Sequence, residues 1–166
     1  MLGERSRWLA STGSERQPVG TSMNANDSPV VIAVDGSPRA ALVLERGLAL
    51  AKVLGAKAHV VRAVSIEAEA HEQLVEKTPE QMRDDLQSDA ARDLRVLLYH
   101  AHSDAEAHAI VAAPISGVCA FAAEHHAQVL VVGSHGYGAL ERLIGTTAAR
   151  LVEHAPCDVY VVRPPR

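Results

Sequence analysis

Apolar residues along this chain fall into two alternating patterns: short continuous runs, and stripes at steps of three and four. Pro29–Val34 is an unbroken apolar run of strand-forming residues, which predicts a strand buried on both faces. Asp35-Gly36-Ser37-Pro38 follows. Gly36 permits a tight turn, Ser37 suits a helix N-cap, and Pro38 suits the first helical position. Residues 38–54 carry Leu42, Leu44, Leu48 and Leu50 among alanines and read as a helix stopped by Gly55. Ala58–Val64 reads as a second strand, and the acidic stretch 65–77 as irregular with some helical content. Thr78-Pro79-Glu80-Gln81 is a capping-box pattern with Pro at the first helical position. It precedes a long amphipathic helix reaching about Ala101, with Met82, Leu86, Ala90, Leu94, Leu97 and Leu98 on one face. Then come a weaker strand over Ala105–Val111, a helix over Ile115–His126 and a strand over Val129–Val132. A glycine-rich segment over 133–145, a helix over Thr146–His154 and a strand over Asp158–Val162 complete the series.

Strands alternating with helices imply parallel crossovers with helices on both faces. The predicted fold is therefore α/β: an open five-stranded parallel sheet, doubly wound and Rossmann-like. Such sheets bind ligands beyond the carboxyl ends of their strands, where strand order reverses. That directs attention to Asp35, Ala63, Pro114 and Gly133. Residues 1–28 stand apart. They are rich in Ser, Gly, Asn and Arg, have no apolar period, and read as a disordered tail before a domain over 29–166. No apolar core follows Arg5 and Arg7, so a secretory signal is not expected, and Glu4 and Glu15 argue against a mitochondrial presequence. Met23, just ahead of the folded part, is an alternative start.

Composition narrows the function classes. The 166 residues are 48% hydrophobic, 22% charged and 3% aromatic, with a formal net charge of −4. This fits one domain with a real core and excludes a wholly disordered chain. No apolar run approaches the roughly 18 residues that a membrane span requires. Scarce aromatics and mild acidity argue against nucleic-acid partners. Cys119 and Cys157 are too few and too scattered for a disulfide framework or a zinc site. They read as small buried hydrophobes in a reduced, cytoplasmic protein.

The strongest chemical signal is the segment Val132-Gly133-Ser134-His135-Gly136-Tyr137-Gly138, continuing to Gly145-Thr146-Thr147. Gly133 and Gly136 let the backbone approach a ligand closely. Gly145-Thr146-Thr147 opens a helix whose first N–H groups, hydroxyls and dipole suit an anion. The spacing is neither a Walker A loop nor the dinucleotide fingerprint. From the glycines alone, a phosphate cradle and a structural turn stay equally open. A carboxylate at Asp35 can accept hydrogen bonds from adenine or ribose and would repel a phosphate, which orients any nucleotide bound here.

Taken together, four pieces resemble the universal stress proteins: Val-Ile-Ala-Val-Asp35-Gly36-Ser37, Val-Leu-Val-Val-Gly133-Ser134-His135-Gly136, Gly145-Thr146, and His154-Ala155-Pro156-Cys157-Asp158 through Arg163. The resemblance covers about Val30 to Arg163. It implies an adenine nucleotide alpha hydrolase-like fold, a homodimer paired through the last strand (158–162), and ATP, with Mg2+ or Mn2+, held by the pattern G-x2-G-x9-G-[S/T]. Carried over, Val34, Asp35 and Ala63 would hold the adenosine half. Gly133, Gly136, Gly145 and Thr146 would hold ribose and phosphates, with Val132, Ser134, His135 and Thr147 beside them. Two departures stand out. Tyr137 to Ile144 is one residue shorter than the family spacing, which either tightens the loop around ATP, with Gly138 absorbing the change, or alters the triphosphate end. Ala112-Ala113-Pro114 stands where the family commonly has a glycine before Asp-Pro.

The remaining polar residues add less. Among nine histidines, His100 with His102 and His125 with His126 lack matching ligands nearby, so no metal site is expected. His135 could donate to a phosphate or face water, and Arg142 could reach phosphates or lie on the surface. Ser37 has no sequence neighbour to activate it. The cradle contains no lysine and no acid placed for Mg2+, so binding with at most slow hydrolysis is expected rather than efficient catalysis. The function expected is an ATP-binding sensor or regulator of stress adaptation acting on a protein partner the sequence does not name. The alternatives are a dimeric interaction module without nucleotide and, third, a slow ATPase or other ATP-using enzyme. Adenine would be gripped by backbone and aliphatic walls, with Tyr137 the only aromatic nearby.

Overall fold

Each apolar run becomes a strand, and each stripe becomes a helix laid across it. The structure is a computed structural model describing residues 28–66, 77–134 and 145–164. The strands are β1 (Val30–Ala33), β2 (Ala58–Val64), β3 (Glu106–Val111), β4 (Val129–Gly133) and β5 (Asp158–Val162). The helices within the described residues are α1 (Ala40–Leu54), α2 (Pro79–His100), α3 (Pro114–Glu124) and α4 (Thr146–His154). All strand pairings are parallel, in the order β3-β2-β1-β4-β5. This is the predicted doubly wound sheet. The proposed tail, 1–28, lies outside the described residues but for Ser28.

Strand alternation sends successive side chains into two separate cores. Val30, Ile32, Val60 and Val131 face α1 and α2, meeting Leu44, Leu94 and Leu98. Val31, Val61, Leu130 and Val132 face α3 and α4, meeting Val118, Phe121, Ala148 and Leu151. Ile32, Leu44, Leu94 and Leu130 are fully buried, and truncating one to Ala would cost about 2–5 kcal/mol.

The helix ends show which local signals acted. The capping box forms: Gln81 N–H donates to Thr78 Oγ1 at 3.2 Å, and Thr78 N–H donates to Gln81 Oε1 at 3.0 Å. Gly55 ends α1 at φ 63°, where a left-handed residue is required. Two boundaries need correction. Ser37 does not cap a helix at Pro38, since α1 starts at Ala40 with Arg39 as its cap residue. Asp35 Oδ1 accepts from Ser37 N–H at 3.1 Å, and Ser37 Oγ accepts from Arg39 N–H at 3.3 Å. These local bonds hold residues 35–39 as a turn and delay the helix. Likewise α3 ends at Glu124, because His126 takes φ 50° and Ala127 N–H returns to the Ala122 carbonyl at 2.9 Å.

Candidate functional site

The chain runs β1, β2, β3 toward one edge, then crosses back to place β4 on the other side of β1. Strand order therefore reverses between β1 and β4, and their carboxyl ends diverge there. A crevice of about 260 Å³ opens at this point. Its floor is Ala33 at the end of β1 with Val34 and Asp35 just beyond it, Ala63 from β2, and Val132 and Gly133 from β4. Pro114 and Val118 of α3 form one wall, and Thr147, Ala148 and Leu151 of α4 another.

Of the residues singled out by sequence, Val34, Asp35, Ala63, Pro114, Val132, Gly133 and Thr147 meet in this crevice. Ser134 leaves the β4 ladder with its N–H donating to the Val162 carbonyl at 2.8 Å, which ties the exit of β4 to β5. Gly145 is the N-cap of α4, extended at φ −60° and ψ 157°, and Thr146 is the first helical residue. His135 and Gly136 lie outside the described residues, as do Tyr137 and Arg142.

The two ends of the crevice differ in electrostatics. At the β1 end stands the carboxylate of Asp35, oriented by its bond to Ser37 N–H. At the other end, the first-turn N–H groups of α4 have no carbonyl partner within the helix, and Gly145 brings no side chain to cap them. A helix start of this kind favours an anion. Between the two ends the walls are aliphatic. The crevice thus suits a ligand that combines a hydrogen-bonding group, an apolar part and an anionic group.

Several contributors escaped the sequence reading. Val43, Val118, Ala148 and Leu151 line the crevice while also serving as core positions, so their periodicity signalled packing only. Arg62 is another. Its guanidinium donates to Asp93 of α2 at 2.6 Å and lies against the Asp35–Ser37 turn. A Cβ on Gly36 would come within 2.9 Å of Arg62 Nη2. A lone arginine inside the apolar strand Ala58–Val64 was the available signal. Cys119 and Cys157 are free, partly buried thiols packed on the α3–α4 core. Burial pushes both above the ordinary thiol range, which suits packing rather than reactivity.

The sequence profile of the universal stress protein family matches residues 28–163. The chain belongs to the universal stress protein family. Its architecture is shared with solved members. UspA from Lactobacillus plantarum is 22% identical, with a TM-score of 0.62, over 84% of this chain and 100% of that one. A universal stress protein solved in complex with cAMP is 24% identical, with a TM-score of 0.58, over 83% of this chain and 98% of that one. A universal stress protein from Archaeoglobus fulgidus, solved with dAMP, is 23% identical, with a TM-score of 0.51, over 82% and 98%. Among curated proteins none matches. Within the described residues, no helix is long and apolar enough to cross a membrane.

Proposed function

We propose that this universal stress protein binds an adenine nucleotide in the β1–β4 crevice and acts as a nucleotide-dependent regulator of stress adaptation. The observation that carries this reading is one crevice lined both by a carboxylate at the β1 exit and by the uncapped start of α4. Adenosine would lie against Val34, Asp35 and Ala63. Ribose and phosphates would face Gly133, Gly145, Thr146 and Thr147. The cAMP and dAMP bound by the two family members support the adenine class.

ATP is the ligand we favour, because Gly133, Gly145 and Thr146 match positions of the ATP-holding pattern that the sequence resembles. Asp35 is the one carboxylate among the described lining residues, and in this reading the adenosine engages it. A divalent ion would therefore ride on the nucleotide's own phosphates. The described lining also has no lysine to neutralise a transferring phosphoryl group, which supports binding over turnover.

The experiment is the nucleotide content of freshly purified protein. Heat release followed by ion-exchange chromatography should yield adenine nucleotide, or calorimetry on emptied protein should give micromolar binding. A chain that purifies empty and ignores millimolar ATP, AMP and cAMP refutes the proposal.

Dimerisation through β5 belongs to the same reading. β5 is an edge strand, and Tyr160 on it is an exposed large side chain. Pairing two such edges about a twofold axis would cover both.

A further inference from the structure

At the opposite, amino end of the sheet lies a polar cluster that nucleotide binding does not use. His59 on β2 and Glu106 on β3 are register partners, and His108 lies two residues beyond Glu106. Strand alternation places all three on the face covered by α3. The inward positions around them on that face are apolar, including Val61, Ile110 and Phe121. Yet here two imidazoles and a carboxylate converge. His59 Nδ1 lies 3.0 Å from His108 Nε2 and 3.6 Å from Glu106 Oε2, and His108 Nε2 lies 3.8 Å from that same oxygen. The His59 side chain is 12% exposed, that of His108 27% and that of Glu106 62%. Phe121 and His125 of α3 pack on the rings from the helix side, Phe121 with its centroid 4.8 Å from His108 and His125 with its centroid 5.2 Å from His59. His125 Nδ1 donates to the Phe121 carbonyl at 3.0 Å, which fixes that ring against the pair.

These distances define a coordination triangle. The point equidistant from the three donor atoms lies about 2.0 Å from each, within the range of Zn–N and Zn–O bonds, about 2.0–2.2 Å. We propose that His59, Glu106 and His108 form a binding site for a divalent transition ion of the zinc class, clasping β2 to the edge strand β3. Two imidazoles and one carboxylate are a donor set such ions accept, and the exposed side at Glu106 leaves a fourth position for water.

Without an ion, the 3.0 Å contact is a hydrogen bond in which one ring N–H donates to the other ring's lone pair. Ion binding replaces it. The shared proton moves to the remote nitrogen of its own ring, and both facing nitrogens then present lone pairs. No net proton need leave the pair.

The signal is invisible to sequence adjacency. His59 stands far from Glu106-Ala107-His108 in the chain, and only the β2–β3 register unites them. The site is also separate from the crevice, so its test is run without nucleotide and is independent of it.

Full-length, untagged protein stripped with a chelator should bind one Zn2+ per chain, measured against a chromophoric competitor at neutral pH. Micromolar or tighter affinity is expected, with a rise in unfolding temperature. His108→Gln and His59→Gln should each weaken binding by more than about tenfold, since even outer-shell losses reach that size. Glu106→Gln should do the same and, being largely exposed, should leave the fold intact, which circular dichroism would verify. The pair His100→Gln with His102→Gln, and the pair Cys119→Ser with Cys157→Ser, should leave affinity unchanged. Co2+ in the same place should give visible ligand-field bands that vanish in Glu106→Gln. The proposal is overturned if wild-type protein takes up no Zn2+ below millimolar concentration. It is equally overturned if affinity survives Glu106→Gln and His108→Gln, or if it falls in the cysteine pair instead.

Discussion

Gly117 sets how closely α3 approaches the end of β3, and adding one methyl group there measures that constraint. A Cβ on Gly117 would lie 2.6 Å from Ala112 Cβ and 3.3 Å from Ile110 Cδ1. Ordinary carbon contacts are about 3.5–4.0 Å. Ala112 Cβ is fixed to the backbone and cannot rotate away, so the first turn of α3 must shift by about 1 Å. Gly→Ala in a helix normally gains about 1 kcal/mol. Overpacking costs about 1–3 kcal/mol, and a neighbour that cannot rotate away puts this site in the upper part of that range, about 2–3 kcal/mol. The net expectation for Gly117→Ala is a loss of about 1–2 kcal/mol, or a few degrees in Tm. Ala112→Gly removes the opposing methyl. Alone it should cost about 0.5–1 kcal/mol through backbone entropy. In the double variant the 2.6 Å contact disappears, so the two changes should couple by the clash cost, about 2–3 kcal/mol. Urea unfolding of the four proteins gives this cycle directly. Pro114 and Val118 ride on the same turn and line the crevice, so adenine-nucleotide affinity should fall in Gly117→Ala and recover in the double variant. A single variant as stable as wild type, or stabilities that simply add, would show that the α3–β3 approach is not the constraint described.

Three further outcomes are expected. In chelator-treated protein, His59 and His108 lose stability in acid. Burial lowers both below the ordinary value of 6.5; at His59, Glu106 pulls upward while His125 and Lys57 push down, and at His108, His59 and His125 push down while Glu106 pulls upward. The unfolded chain then binds protons before the folded one, so stability is full above about pH 6.5 and falls as pH drops toward the lowered folded values. Urea midpoints of wild type should decline more steeply below neutrality than those of a His59→Gln, His108→Gln double variant, and parallel curves would remove these residues from the acid response. Thr78→Ala should cost about 1 kcal/mol by breaking the capping box of α2, while Thr78→Ser should be near neutral, with chemical denaturation as the readout. If β5 edges pair as proposed, Tyr160→Lys should convert dimer to monomer in sedimentation at micromolar protein, and a wild-type monomer would refute the pairing.

The architecture was legible because its strands are unusually explicit. Pro29–Val34 and Val129–Val132 are unbroken apolar runs, and only strands buried on both faces read that way. β3 was harder, since Glu106-Ala107-His108 is polar at its outset and was identified by position. Helix ends were legible where one residue decides, as at Gly55 and Thr78. They were misplaced where several weak signals compete. At Asp35-Gly36-Ser37-Pro38, each residue favours both a turn and a helix start, and the side-chain bonds of Asp35 and Ser37 settled it for the turn.

The two polar centres were read unequally for a physical reason. The crevice residues sit at strand exits and at one helix start, and those positions are announced in the sequence by where apolar runs stop. Asp35, Ala63, Gly133 and Thr147 could therefore be named in advance. Pro114 could be named in the same way, but the rest of the walls could not, because Val118, Ala148 and Leu151 are simultaneously core residues and carry no separate pattern. The His59, Glu106 and His108 group lies within two strands, where the only rule linking its members is lateral register. Register depends on how the whole sheet assembles, since a slip of one residue would turn His108 to the α1–α2 face and scatter the group. Histidines adjacent in sequence, such as His125 and His126, attract notice first. Here one of them, His125, packs on the rings of a pair whose members come from β2 and β3. Chemistry at strand ends can thus be read from the chain, whereas chemistry across strands appears only once the register is known.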